Sequence, residues 1–175
     1  LANGDKFTIL DADITLTQYT GDAQERLAIR PYPVELEEVI TLKDGSEIFL
    51  RPILPEDEPL HADFINKVSK EDLYKRFFSD IGELNHEALA NLTQIDFDRE
   101  IAFVVLKEID NEHVIIGVSR ALINHDNTDA EFAILIRSDL KGIGLGRILM
   151  TKVIEYCRSK NTVQMSRSEE RRVGK

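Results

Sequence analysis

The sequence predicts an α+β fold, with a mixed, largely antiparallel sheet and flanking helices. Three observations carry this. Helix-patterned runs cluster between residues 54 and 92, and three strand-like runs then follow with no helix between them, at Ile101–Leu106, Val114–Ile123 and Thr128–Arg137. Polar turn residues, Asp110-Asn111 and His125-Asp126-Asn127, link those runs. A glycine-rich run, Asp139-Leu140-Lys141-Gly142-Ile143-Gly144-Leu145-Gly146-Arg147, then stands between the last strand and an amphipathic helix.

Taken from the first residue, the chain opens on Leu1, which reads as a cut within a longer chain. Phe7 to Leu16 reads as a short strand pair or one bent strand, and Gly21 to Gln24 breaks the pattern. Pro31-Tyr32-Pro33 stiffens the backbone into an extended connector, so a domain boundary is expected near Pro33. Residues 1–33 are too few to fold alone and read as the end of a preceding domain.

Val39–Leu42 and Glu47–Leu50 are strand-like runs around Asp44-Gly45, a hairpin-turn pair. Leu54-Pro55-Glu56-Asp57 opens a helix, with proline in its first turn and acids behind it. Ser69 with Asp72 three residues on resembles a capping box for a second helix carrying Leu73, Phe77 and Phe78. His86–Leu92 suggests a short third. Gly117 interrupts the middle of the three later strands and points to a bulge. Glu131–Arg137 has little polar alternation and reads as a strand buried on both faces. After the glycines, Leu149, Met150, Val153, Ile154 and Cys157 fall on one helical stripe, with Lys152, Glu155 and Arg158 away from it.

Composition narrows the function classes. Hydrophobic content of 42% and charged content of 31% suit a soluble globular chain, and 175 residues allow one sizeable core plus a fragment. A net charge of −10 argues against nucleic acid or an anionic membrane as partner. The one cysteine, Cys157, sits on the apolar stripe, where a packed thiol is expected. No disulfide is possible within the chain, and no signal peptide or long apolar span is visible, so a cytoplasmic address is the default. The four histidines show no metal-ligand spacing, and no metal site is read.

Glycines at every second position strip side chains from a loop, so backbone N–H groups converge on an anion at a helix N-terminus. The alternative is a merely flexible turn. A dinucleotide fingerprint starting at Gly142 needs glycine or alanine where Arg147 stands, and one starting at Gly144 needs it at Leu149. No register supplies the Gly-Lys-Ser/Thr of a nucleotide P-loop. What fits is Lys141, two spacers, Gly144, one spacer, Gly146. Asp139 suits a phosphate poorly and is expected to point away.

That spacing resembles the pyrophosphate loop of the GCN5-related N-acetyltransferases (GNAT), and the order of elements over residues 36–165 matches their fold. Arg51–Leu60 and Ala130–Gly142 resemble the bacterial protein lysine acetyltransferases, in which the acetyltransferase follows a large ADP-forming, acyl-CoA-synthetase-like region. Arg26–Pro33 resembles the junction between the two parts. The resemblance implies three segments. Residues 1–33 would be the remnant of an ATP-grasp-like, acyl-CoA-synthetase-like domain, and 34–166 an incomplete GNAT domain. Residues 167–175, with no apolar periodicity and a net positive charge against an acidic body, read as a non-native or disordered tail.

The same resemblance implies acetyl-CoA as co-substrate, with no metal, and a lysine-bearing protein substrate, an acyl-CoA synthetase among the candidates. Glu131 matches the family's general base; Asp126, Asp129 and Glu100 are alternatives. Ile134, Leu135 and Ile136 would offer backbone to the pantetheine arm, and the pyrophosphate would rest on N–H groups of Gly142, Gly144, Leu145, Gly146 and Arg147. Lys141 replaces a commoner arginine or glutamine, keeping charge but giving a point contact. Arg147 either reaches the phosphates or is simply solvated. A small-molecule amine acetyltransferase and a non-catalytic acyl-CoA-binding regulatory module stay open.

Family members continue past the loop helix with a strand, a helix and a closing hairpin. Here Thr162–Ser166 begins that strand, and a run carrying Arg167, Arg171, Arg172 and Lys175 against Glu169 and Glu170 replaces the rest. The expectation is a fold truncated after the loop helix, with impaired acetyl transfer. Tyr156 lies on the loop helix and is not expected to serve as the acid for the leaving thiolate.

Overall fold

Turn chemistry sets the sheet. Gly45 takes φ of +83°, a conformation glycine enters without steric cost, and folds β3 (Glu38–Thr41) antiparallel onto β4 (Glu47–Pro52). Asp110 and Asn111, at φ of +54° and +63°, make the corresponding turn between β5 (Glu100–Ile109) and β6 (Glu112–Ile123). β7 (Asp129–Ile136) runs antiparallel to β6, and β8 (Gln164–Arg167) returns parallel to β7. The computed structural model describes residues 2–3, 6–7, 30–77 and 84–167. In it β3 to β8 form one six-stranded sheet in sequence order. β1 (Ala2–Asn3) and β2 (Lys6–Phe7) pair separately. The rest of the strand expected over Phe7 to Leu16, the break at Gly21, the junction residues Arg26–Ile29 and the tail beyond Arg167 lie outside the described residues. Arg167 itself closes β8.

Pro55 stands in a 3-10 turn, Pro55–Asp57, that leads into α1 (Glu58–Asn66), so the regular helix begins three residues later than its proline suggested. Arg51 donates to both carboxylate oxygens of Asp57 at 2.6 and 2.7 Å, and the Leu54 N–H donates to the same carboxylate. This buried pair fixes the exit of β4. α2 (Lys70–Phe77) starts from Ser69, whose Oγ accepts from the Asp72 N–H as the capping pattern anticipates. Asn85 caps α3 (His86–Thr93) by accepting from the Ala88 N–H.

The sheet is filled on both faces. Ile101 to Leu106 are buried without a break, so β5 is its centre. On one face, Ala102, Val104, Ile115 and Val118 pack against Phe64, Ile65 and Val68, which come from α1 and the turn after it. On the other, Ile101, Phe103, Val105 and Ala121 pack under Leu145, Leu149, Val153, Tyr156 and Cys157 of α4 (Leu145–Ser159). Burial raises the Cys157 thiol to about 11, as fits a packed core group. Met150 and Ile154, expected on the buried stripe, are only half-buried; Tyr156 takes a core place instead.

The expected irregularity in β6 is a bulge. Val105 pairs with Gly117 and Leu106 with Ile115, leaving Ile116 as the extra residue. A Cβ at Gly117 would lie 3.0 Å from Leu149 Cδ1. Glycine therefore lets α4 approach the sheet. Gly117→Ala is expected to cost about 1 kcal/mol, because only the mobile tip of one leucine must shift. Thermal unfolding should show a Tm lower by roughly 2–4 °C.

Candidate active site

β7 is where the reading of a fully buried strand fails. Only Ala130 is buried there; Glu131 to Ile136 are half-exposed. The reason is topological. β8 pairs with Asp129 to Phe132 only, so Ala133 to Ile136 have no strand on that edge among the described residues. An open edge presents unpaired backbone groups to an extended ligand. The groove there, about 280 Å³, is walled by Phe132 to Ile136 on one side and by Asp72, Lys75 and Arg76 of α2 on the other, with Lys141 and Arg167 at its margins. Four of its side chains are cationic in a chain of net charge −10. Charge of that sign draws an anionic ligand to this groove.

The glycine run follows a 3-10 turn at Ser138–Leu140. Gly142 and Gly144 adopt φ of +90° and +96°, and Gly144 is the residue from which α4 starts. A Cβ at either would meet nothing within 4 Å, so backbone conformation, and not a neighbour, demands glycine. The space over the loop is open to a ligand. Arg147 and Ile148 donate their N–H groups to the Gly144 carbonyl, which leaves those of Leu145 and Gly146 ahead of the helical ladder at the positive end of the dipole. The Leu145 side chain is buried in the core, so that residue offers backbone alone. Arg147 is exposed and makes no ion pair among the described residues. Asp139 is drawn aside by Arg137, which donates from Nε at 3.0 Å and from Nη2 at 2.7 Å. Gly142, Ile143 and Gly144 also border a recess of about 220 Å³ with Leu42, Lys43 and Asp44.

Lys141 is not free at the groove mouth. Its ammonium donates to Asp72, which also accepts from Ser69 Oγ and Ser138 Oγ at 2.7 Å each. Those donors, led by Lys141, hold the Asp72 carboxyl down at about 2. The tie is therefore complete at neutral pH and is lost as pH falls through the carboxylate range toward about 2. Asp72→Asn removes a negative charge from the groove and frees the Lys141 ammonium, so acetyl-CoA binding is expected to tighten about 3- to 10-fold. Acetyl-pantetheine, which has no pyrophosphate, should bind equally to both proteins in calorimetric titration.

Glu131 lies at the other end of β7. Opposite Leu122 on one side and Ser166 on the other, it lines a basin of about 340 Å³ with Asp96, Arg99, Glu100, Leu122, Ile123 and Asn124. The structure thus gathers Ile134, Leu135, Ile136 and Lys141 into the groove, leaves Gly142 to Arg147 outside its lining, and places Glu131 in a separate basin on the same strand. Of the alternative carboxylates, Glu100 shares the basin but is ion-paired with Arg120. The Asp126 carboxylate accepts from Thr128, and that of Asp129 accepts from Thr128 and Asn124 in the β6–β7 turn and from Gln164 of β8. Tyr156 donates its hydroxyl to the Phe97 carbonyl at 3.1 Å, away from the groove.

Two residues escaped the sequence reading. Arg76 borders the groove and also a small inner cavity of about 30 Å³ with His61, Arg120, Ala133 and Leu135. Burial, then Arg120, push its guanidinium down, and Glu131 acts in the opposite sense. His61 is buried to 3% exposure, its Nδ1 finds no partner, and burial lowers it to about 4, so it is neutral at pH 7. A lone lysine-arginine pair and an isolated histidine carried no signal of these positions. Among the described residues no group of three or more His, Cys, Asp or Glu could hold a metal ion, and no helix is long and apolar enough to cross a membrane.

The family model described as Acetyltransferase (GNAT) family matches residues 69–170. The chain belongs to this family. The GNAT domain is 33% identical over 127 residues to Acetyltransferase PA5475 of Pseudomonas aeruginosa, covering 73% of this chain and 68% of that one. It is 30% identical over 134 residues to Acetyltransferase Pat of Mycolicibacterium smegmatis, covering 75% of this chain but only 38% of the mycobacterial protein. Among solved structures, the GNAT domain of S. lividans PAT superposes with a TM-score of 0.69 at 22% identity, over 82% of this chain and 85% of that one. An acetyltransferase of the GNAT family from Streptococcus pneumoniae superposes with a TM-score of 0.55 at 17% identity, over 72% and 78%. These structural likenesses establish the α+β GNAT fold. A GNAT domain is an acetyltransferase module that takes acetyl-CoA, and the open cationic groove with its glycine loop fits that ligand.

Proposed function

We propose that this GNAT domain transfers acetyl from acetyl-CoA to the ε-amine of lysines on a protein substrate by direct attack, with Glu131 as general base. One observation carries the reading: β7 joins both halves of the chemistry. Its C-terminal half walls the groove that has Lys141, the residue before Gly142, at its margin, and its N-terminal half carries Glu131 into a basin containing two further acids. The pyrophosphate rests on the Gly142 to Arg147 backbone with Lys141 beside it, and the pantetheine arm lies along Ile134, Leu135 and Ile136. An extended arm starting at the loop then brings the thioester toward residues 131–133.

A lysine side chain has a solution pKa of roughly 10.4, so about one in a few thousand is neutral at pH 7. Glu131 takes the proton, directly or by way of a water, as the amine nitrogen attacks the carbonyl carbon. Backbone N–H groups on the open β7 edge stabilise the oxyanion; as the carbonyl re-forms, the carbon–sulfur bond breaks and coenzyme A leaves as a thiolate that takes a proton from solvent. The cationic substrate suits a basin lined by Asp96, Glu100 and Glu131.

The protein substrate, an acyl-CoA synthetase among the candidates, is supported by the likeness of Arg26–Pro33 and Ala130–Gly142 to the bacterial protein lysine acetyltransferases. On that reading residues 1–33 end a preceding acyl-CoA-synthetase-like region, residues 34–166 form the transferase, and the reaction runs in the cytoplasm without nucleic acid or membrane as partner. Competition between a lysine-bearing protein and a polyamine, followed by mass spectrometry, tests it. Acetyl-lysine on the protein is expected; acetylated polyamine alone would favour a small-molecule enzyme, and acetyl-CoA binding with neither product a regulatory module.

A further inference from the structure

We infer that Arg30 and Tyr32, in the connector ahead of the transferase fold, are positioning residues for the basin that holds Glu131, acting through Phe97 and Asp98. The inference rests on the assignment of that basin to the acceptor.

Phe97 carries the first observation. It adopts φ of +56°, a left-handed conformation costly for a bulky aromatic and kept only where surroundings enforce it. Three of the contacts that hold this corner come from outside the segment between α3 and β5. The Tyr32 ring meets the Phe97 ring edge-on, with centroids 5.7 Å apart and planes at 87°. Arg30 Nε pairs with Asp98 Oδ1 at 3.1 Å. The Tyr156 hydroxyl donates to the Phe97 carbonyl. Within the segment, Asp96 Oδ1 accepts from the Asp98 N–H at 3.0 Å.

What the corner supports is the second. Asp96, Arg99 and Glu100 flank it, and all three line the basin with Glu131. The Arg99 carbonyl accepts from the Ile123 N–H at 2.7 Å, joining the corner to the strand opposite Glu131. A shift at Phe97 and Asp98 therefore moves one wall of the basin.

The connector is anchored but not core. The Tyr32 hydroxyl lies within hydrogen-bonding distance of Glu37 at 2.8 Å and of the Pro52 carbonyl at 3.2 Å. Yet a cavity of about 500 Å³ lies between connector residues Arg30 to Leu36 and the end of α4. The two side chains reach the corner along the edge of that cavity and belong to neither buried core, so losing them leaves both cores filled.

Hydrogen exchange on the full 175-residue chain tests this. Tyr32→Ala and Arg30→Ala should speed exchange of the Asp98 and Arg99 amides about 3- to 10-fold, the size expected of one aromatic or ionic contact. Tyr32→Phe, which keeps the ring contact with Phe97 but loses the Glu37 and Pro52 contacts, should stay within about twofold of wild type. The acetyl-CoA dissociation constant should stay unchanged throughout, and KM for a lysine peptide should rise by the same factor as exchange. Unchanged exchange in Tyr32→Ala, or acceleration spread over the whole sheet, would overturn the inference. The exchange reading is independent of the base assignment, because it requires nothing of Glu131; full activity in Glu131→Gln would remove that assignment and leave the tether standing.

Discussion

Glu131→Gln should lower the rate of lysine acetylation by roughly 10²- to 10⁴-fold, the range found when a positioned general base is removed. The dissociation constant for acetyl-CoA should stay within about twofold of wild type. Glutamine keeps the size of the side chain and its hydrogen-bonding capacity, so the strand pairing of residue 131 with Leu122 and Ser166 is preserved. What disappears is the group that accepts the proton. Glu131 lies in the basin and not among the groove-lining residues, which is why rate and cofactor affinity should separate. Mass spectrometry of acetyl-lysine gives the rate and calorimetry the affinity. A purely acyl-CoA-binding module would show no change in either.

Gly144→Val should weaken acetyl-CoA binding by about 10- to 100-fold. The backbone at this residue sits at φ of +96°, where a β-branched side chain costs on the order of 1–3 kcal/mol. Nothing stands within 4 Å of the added Cβ, so the cost comes from the backbone alone. The chain relieves it by rotating the residue out of its left-handed conformation. That turns aside the carbonyl that receives the Arg147 and Ile148 N–H groups and misaims the Leu145 and Gly146 N–H groups. The buried face of α4 begins at Leu145 and continues through Leu149 and Val153, so the helix itself should survive. Calorimetry should report the lost affinity, and thermal unfolding a drop of only a few degrees. Unaltered affinity would mean that this loop does not carry the phosphates.

The difference between what the sequence disclosed and what it withheld follows from contact range. The glycine spacing, the Asp44-Gly45 hairpin, the Ser69 cap and the bulge at Gly117 are local devices, each written in a few neighbouring letters. Glu131 was placed by its position in a strand next to the loop, and the structure adds a basin around it. The strand itself is half-exposed where its letters predict burial on both faces. Apolar letters from Phe132 to Ile136 look the same whether a strand is covered by protein or waits for a ligand, and periodicity cannot tell the two apart. The contacts of Asp72 with Ser138 and Lys141 span 66 and 69 residues, and those of Arg30 and Tyr32 with Asp98 and Phe97 span similar distances. Such pairs leave no trace in a single sequence. Nor does the left-handed Phe97, since nothing in its side chain favours that conformation.

β7 and the glycine loop together form one acetyl-CoA site, and amide NMR during an acetyl-CoA titration reads out both parts at once. The signals of Ala133 to Ile136 and of Gly142 to Arg147 should shift together along one saturable curve, while those of α3 stay in place. Saturable shifts confined to other parts of the sheet, with the β7 edge and the loop unmoved, would rule out a shared site.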